Sequence, residues 1–173
     1  MNPKPPRGWR RRDALGALAG ASALLAAGAA SAREGAPLPA VGSAYALADL
    51  PLIDGSTFKA AEARGQVVVL YWWASWCPFC ALQSPHVQKL WAAQRARGLY
   101  VLGVSIDRRA DDARQYQQQR GYNFPSAWQA GAVLPKPGKS LPVTVVLGRD
   151  SRVVMAEDGQ LFPEDVEQIA RFL

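Results

Sequence analysis

The chain has 173 residues, 49% of them apolar and 20% charged, with 15 Gly and 13 Pro; this excludes a disordered, collagen-like or coiled-coil protein and suffices for one buried core. Two cysteines, Cys77 and Cys80, and one histidine, His86, cannot build a disulfide scaffold or an ordinary four-ligand zinc site, so the composition leaves thiol chemistry. The formal net charge of +6 is mostly terminal: without Lys4, Arg7, Arg10, Arg11, Arg12 and Asp13 the 20 basic and 14 acidic residues become fifteen against thirteen, and the case for a nucleic-acid partner disappears.

In chain order, the basic start is followed by an uncharged stretch, 14–32, that closes with Ala30-Ser31-Ala32, the small-x-small pattern of a cleavage site, so residues 1–32 read as an export signal. Arg11-Arg12-Asp13-Ala14-Leu15 is similar to a twin-arginine signal, with Ala14 where Phe is usual. The alternative is an uncleaved anchor, but the stretch falls short of the ~20 strongly apolar residues a spanning helix needs. The expected location is therefore periplasmic or otherwise extracytoplasmic, soluble after cleavage and membrane-anchored without it. Residues 33–43, rich in Pro, Gly, Ala and Ser, read as a flexible leader, and 44–173 as one domain.

Within that domain, 50–53 and 56–58 flank Asp54-Gly55 and predict a β-hairpin. Residues 60–64 suggest a helical turn stopped by Gly65. The run 66–73 is apolar, β-branched and aromatic, as a strand covered on both faces should be, with Trp72 and Trp73 pointing to opposite sides as core. A helical pattern begins at the cysteines and stops at Gly98. Residues 99–106 form a second buried strand, and 109–120 a polar helix closed by Gly121. Residues 143–147 and 152–156 pair through a turn at 148–151, and Pro163 opens a last helix to 172. The order β-α-β-α-β-β-α after the hairpin predicts an α/β fold: a mixed central sheet with helices on both faces and an N-terminal β-hairpin extension.

Cys77-Pro78-Phe79-Cys80 is the one strong motif. Two thiols three positions apart at a helix start lie close enough to join, and the first meets the free N–H groups and positive dipole end of the helix, which favour a sulfur anion. Cys77 is therefore expected to attack and Cys80, one turn further in, to resolve the mixed disulfide. Half of a zinc knuckle looks the same, but no second pair completes it.

Together with its setting, Tyr71-Trp72-Trp73-Ala74-Ser75-Trp76-Cys77-Pro78-Phe79-Cys80 resembles the signature of the thioredoxin superfamily, and specifically of its TlpA/ResA-like thiol-disulfide oxidoreductases; the resemblance covers 47–172. Pro85 falls where that family's active-site helix carries a proline. The resemblance implies a thioredoxin-like fold and a cis-proline loop facing the disulfide, for which Leu141-Pro142 is the candidate, offering an incoming peptide a strand-like edge. It gives Trp76 a place flanking the disulfide, with plain packing as the alternative. It also implies protein disulfide or thiol substrates, as in cytochrome c maturation, and recharging by a membrane electron carrier. No cofactor beyond the Cys77–Cys80 disulfide and no metal is expected, and a monomer is.

Two positions depart from the pattern: Gln83 stands where the family carries a Glu, and Tyr71 where thioredoxins bury an Asp. Neither is a carboxylate base, so proton removal from Cys80 falls to water, the departing substrate sulfur, or a group the sequence does not place. Pro78-Phe79 adds neither charge nor donor between the cysteines, whereas strong oxidants carry a His there, which favours a reductase over a DsbA-like oxidant. A peroxidase ranks last for want of a Pro-x-x-x-Thr-x-x-Cys loop. The non-enzymatic alternative is a copper chaperone using Cys77, Cys80 and His86, although His86 alone reads as a surface or packing residue. Lys136 and Lys139 read as solvated loop.

Overall fold

The computed structural model describes residues 1, 36–128 and 130–173; the expected export signal lies outside the described residues. The chain's most continuous apolar run becomes the central strand. β1 (Leu50–Pro51) and β2 (Thr57–Phe58) first pair antiparallel as the expected hairpin. Gly55 adopts a φ of 90° at its turn, and the Asp54 carboxylate accepts the Ser56 N–H at 2.9 Å. Residues 60–64 form successive turns and no helix.

β3 (Val67–Trp73) is buried at all seven positions. Its odd-numbered side chains enter one apolar cluster and its even-numbered ones a second, as period-two alternation requires. β4 (Leu99–Ser105) runs parallel to β3, β5 (Ser126–Trp128) parallel to β4, β6 (Val143–Leu147) antiparallel to β3, and β7 (Val153–Asp158) antiparallel to β6. The resulting sheet has the order β5-β4-β3-β6-β7. β5 was not foreseen: Ser126-Ala127-Trp128 carries no strand-forming pattern and is recruited by pairing with Gly103 to Ser105 and by Gln117, whose amide donates to Ser126 Oγ at 2.9 Å.

The helices are α1 (Pro78–Gln94), α2 (Ala110–Arg120) and α3 (Pro163–Gln168). α1 tightens into a 3₁₀ turn, Arg95–Arg97, before Gly98 (φ 92°), and α2 ends at Gly121 (φ 68°). The last expected helix is divided, its final turn, Ile169–Phe172, being 3₁₀ because terminal carbonyls have no i+4 donor. Val87, Leu90, Ala113, Val166 and Ile169 place all three α-helices on the Tyr71–Trp73 face of the sheet. Among the described residues, the expectation of helices on both faces is met on the second side by a 3₁₀ turn, Ala130–Ala132; there the hairpin, Leu38, Tyr45 and Leu47 pack over Leu70 and Trp72.

The stretch expected as a flexible leader is tied down from Ala36 onward. Ala36 bridges to Pro137, Gly42 N–H donates to Val153 O at 2.7 Å, and Arg152 Nη1 reaches Gly42 O at 2.8 Å. Among the described residues, no helix is long and apolar enough to cross a membrane.

Candidate redox-active thiol site

Where β3 leaves the sheet at Trp73, the chain turns through 74–76 and enters α1 at Cys77, an N-cap in extended conformation (φ −85°, ψ 115°). The Cys77 sulfur occupies the place of a capping oxygen: the Cys80 backbone N–H donates to Cys77 Sγ at 3.1 Å. Pro78 sits in the first turn, where a missing N–H leaves nothing unpaired. Both thiols are free, Cys77 at 4% exposure and Cys80 at 0%. Burial pushes the Cys80 thiol far above its ordinary range, and its hydrogen bond to the Cys77 sulfur pushes in the same direction. Cys80 thus holds its proton while the neighbouring sulfur sits among donors.

Around this pair the surface is apolar. Trp76 is 64% exposed and Phe79 56%. Leu141-Pro142 is a cis peptide bond. Val143 pairs with Trp72, so Pro142 lies at the end of the sheet from which the chain runs into Cys77. The structure therefore brings Cys77, Cys80, Trp76, Leu141 and Pro142 to one sheet end. His86 is half-buried, six residues beyond Cys80 and about 9 Å further along the helix axis. Among the described residues, no three His, Cys, Asp or Glu side chains are grouped as a metal ion would require.

Sequence reasoning missed two features. Asp107, only 4% exposed just past β4, accepts the Ser75 N–H at 3.1 Å, Ser75 Oγ at 2.7 Å and Ser105 Oγ at 2.7 Å, while its carbonyl takes the Trp128 indole N–H at 2.7 Å. It clamps the turn that presents Cys77, and the signal for it was a polar Ser-x-Asp at the carboxyl end of an apolar strand, where α/β sheets place their sites. The second is the brace behind Pro142. Lys136 Nζ donates to the carbonyls of Pro137, Gly138 and Ser140 at 2.9–3.1 Å, and the Asp158 carboxylate accepts from Lys139 N–H, Ser140 N–H and Ser140 Oγ. Lys136, expected as solvated loop, is partly buried and structural.

Beneath the thiols lie the two departures from the pattern. Gln83 is fully buried; its amide donates to Thr144 Oγ1 at 3.0 Å and accepts Leu161 N–H at 2.7 Å. Tyr71 is equally buried, its hydroxyl 3.4 Å from Cys80 O and 3.0 Å from Ser84 Oγ.

Residues 41–154 match the sequence pattern of the AhpC/TSA family. The chain belongs to the AhpC/TSA family. Within reach of this AhpC/TSA chain in sequence are the thiol-disulfide oxidoreductase ResA of Geobacillus thermodenitrificans, 26% identical over 134 residues (75% of each chain), and that of Halalkalibacterium halodurans, 24% identical over 123 residues (70% of each). In structure it is similar to a thiol:disulfide interchange protein of the thioredoxin family from Chlorobium tepidum, with a TM-score of 0.65 at 17% identity over 80% of this chain and 94% of that one. The fold is thioredoxin-like, as the resemblance implied, and this AhpC/TSA member carries its thiol pair at the start of the first helix after the central strand.

Proposed function

We propose that this thiol-disulfide oxidoreductase is exported and reduces disulfides of extracytoplasmic proteins, with Cys77 as nucleophile and Cys80 as resolving thiol. The observation that carries the reading is the cap: the Cys77 sulfur receives a backbone N–H at the amino end of a 17-residue helix, and Cys80 is buried and held protonated beside it. In the first step the Cys77 sulfur attacks a substrate disulfide, a Cys77–substrate bond forms, and the other substrate sulfur leaves with the electron pair. In the second, Cys80 attacks Cys77, closing the Cys77–Cys80 disulfide and releasing the remaining substrate sulfur, which takes up the proton. Two electrons pass from dithiol to substrate in each cycle. A membrane electron carrier returns them.

Trp76 and Phe79 form the apolar ground on which a client segment rests, and the Leu141 backbone, turned by cis Pro142, gives it an edge to pair with. The direction of electron flow follows from what surrounds the nucleophile. Between the cysteines there is only Pro78 and a solvent-facing Phe79, and no side-chain donor or cation that would stabilise the reduced form and make the disulfide a strong oxidant. The basic, alanine-rich segment 1–32 supplies the export address.

Trapping tests the reading. The full chain carrying Cys80→Ala, produced in an exporting cell, is expected to accumulate mixed disulfides through Cys77 with extracytoplasmic proteins, recoverable after acid quenching. Absence of adducts, or adducts formed only when Cys77 is replaced, would overturn it.

A further inference from the structure

We propose that the Tyr71 hydroxyl, backed by Ser84, is the hydrogen-bond donor that carries the Cys80 sulfur through its anionic state while Cys80 displaces the substrate from Cys77. The inference rests on the exchange roles given above to the two cysteines and adds the group that their chemistry lacks. Resolution needs Cys80 to attack as a thiolate, yet Cys80 is fully buried and its thiol is held protonated by burial and by the Cys77 sulfur. Thioredoxin-like chains place a carboxylate near this sulfur; here the corresponding positions are Tyr71 and Gln83. The amide of Gln83 is committed to Thr144 and Leu161. Tyr71 is not so committed.

Its hydroxyl oxygen lies 3.4 Å from Cys80 O, a carbonyl that only accepts. Either hydroxyl can donate in the shorter 3.0 Å contact with Ser84 Oγ, and with Ser84 donating the Tyr71 proton is left for Cys80. Tyr71 is therefore a polarised donor whose present acceptor is weak and lies on the very residue whose sulfur becomes charged. A hydrogen bond from Tyr71 to the Cys80 side chain favours the ionised sulfur. Tyr71 itself is held well above the ordinary tyrosine range, by burial and by the Cys80 and Cys77 charges, so it donates without ever giving up its proton. The ionisable groups facing the pair are Cys77 at the α1 N-cap, Tyr71 on β3, and Tyr116 on α2, with Arg120 beyond it.

In the resolving step the Cys80 S–H proton passes to the departing substrate sulfur. The Tyr71 O–H swings from the Cys80 carbonyl to the Cys80 sulfur, the Cys80–Cys77 bond forms, and the Cys77–substrate bond breaks. No outside base is consumed.

The test uses the reduced full chain and Ellman's reagent. Attack by Cys77 releases a first thionitrobenzoate and leaves a mixed disulfide; resolution by Cys80 releases a second, so the two steps are seen separately. At about pH 7 Tyr71→Phe is expected to slow the second phase about tenfold with the first phase unchanged, and in a Cys77→Ser background the ¹³Cβ resonance of Cys80, titrated to about pH 12, is expected to show its midpoint moved up by about one pH unit; such a loss lies at the lower end for a hydrogen bond to a charged group. Ser84→Ala should shift the same midpoint by about half as much. A Cys80 midpoint that stays at the wild-type value, with or without a slower second phase, overturns the proposal, because a merely displaced Cys80 would not change when it titrates. Should Tyr71→Phe not fold, an unmoved midpoint in Ser84→Ala overturns it alone. A wild-type chain with no first phase would instead sink the exchange reading on which the proposal rests.

Discussion

At Gln83 a fully buried amide bridges three elements, donating from α1 to Thr144 on β6 and accepting from the Leu161 backbone ahead of α3. Both bonds survive replacement by a carboxylate, since Leu161 still donates and the Thr144 hydroxyl can turn to donate instead of accept. A Glu here would sit one helical turn from Cys80, on the same buried side, with burial lifting its carboxyl toward the neutral range in which a general base works. Gln83→Glu is accordingly expected to speed resolution of a Cys77 mixed disulfide about tenfold at neutral pH, below the 10²–10⁴ of a well-aimed base because the geometry is set for an amide. Stopped-flow release of the second thionitrobenzoate measures it. An unchanged rate would remove residue 83 from the chemistry and leave it as a cross-link only. The pair Tyr71 and Gln83 thus divides one job: the hydroxyl stabilises the sulfur anion, and the position of the amide can accept a base.

The loop 135–141 leads into the proposed substrate edge and is held by the hydrogen bonds of Lys136 and Asp158 and by the bridge from Pro137 to Ala36, whose carbonyl accepts the Gly138 N–H at 2.7 Å. Burial pushes the Asp158 carboxyl up, but the hydrogen bonds from Ser140 and Lys139 and the Lys136 charge outweigh it and hold the group below the ordinary aspartate value. Gly138 is where this brace closes. Its φ is +70°, and a Cβ there would stand 2.5 Å from the Asp158 carboxyl carbon. Gly138→Ala should push Asp158 off the Lys139 and Ser140 amides, lowering their hydrogen-exchange protection at least tenfold and weakening binding of a peptide trapped on Cys77, while the Ellman first phase stays as in wild type. Wild-type protection in the variant would show that the loop is held elsewhere. This element also marks the limit of what the sequence displays. The apolar run of β3, the glycines after α1 and α2, and the cysteines at a helix start are local signals, and the strands, helix ends and thiol pair followed from them. β5, the Asp107 clamp and the Lys136–Asp158 brace depend on partners far along the chain: Ser126 on Gly103, Ser75 on Asp107, Ser140 on Asp158. Spacing along the chain encodes none of these meetings. Tyr71 was visible as an oddity, but its partners on α1 were not.

The molecule as a whole places two ionisable groups, Cys80 and Tyr71, between the sheet and α1, and this couples the redox site to global stability. Both have folded-state values raised above their ordinary ones, 9.0 for a thiol and 10.0 for a tyrosine, chiefly by burial. For an acid raised in this way the folded chain keeps a proton that the unfolded chain has lost, so the stabilisation is complete below the unfolded value and declines as pH rises above it. The reduced chain should therefore become easier to unfold above about pH 9, the unfolding constant growing by up to about tenfold per pH unit for the thiol alone, and more steeply above about pH 10 when the unfolded chain's Tyr71 also ionises. Urea midpoints of the reduced wild type and of Cys80→Ala, measured between about pH 8 and about pH 10, separate the two contributions: the variant should be flat up to the tyrosine range while the wild type already falls. Parallel curves would mean that Cys80 ionises in the fold as readily as outside it, and the division of labour between a buried resolving thiol and a capped nucleophile would fail with them. Closing the disulfide removes the same titration, because a sulfur bonded to sulfur has no proton to lose, so the oxidised chain should follow the flat curve. Alkali then acts on one half of the redox cycle only, and the fold itself favours the closed ring as pH rises.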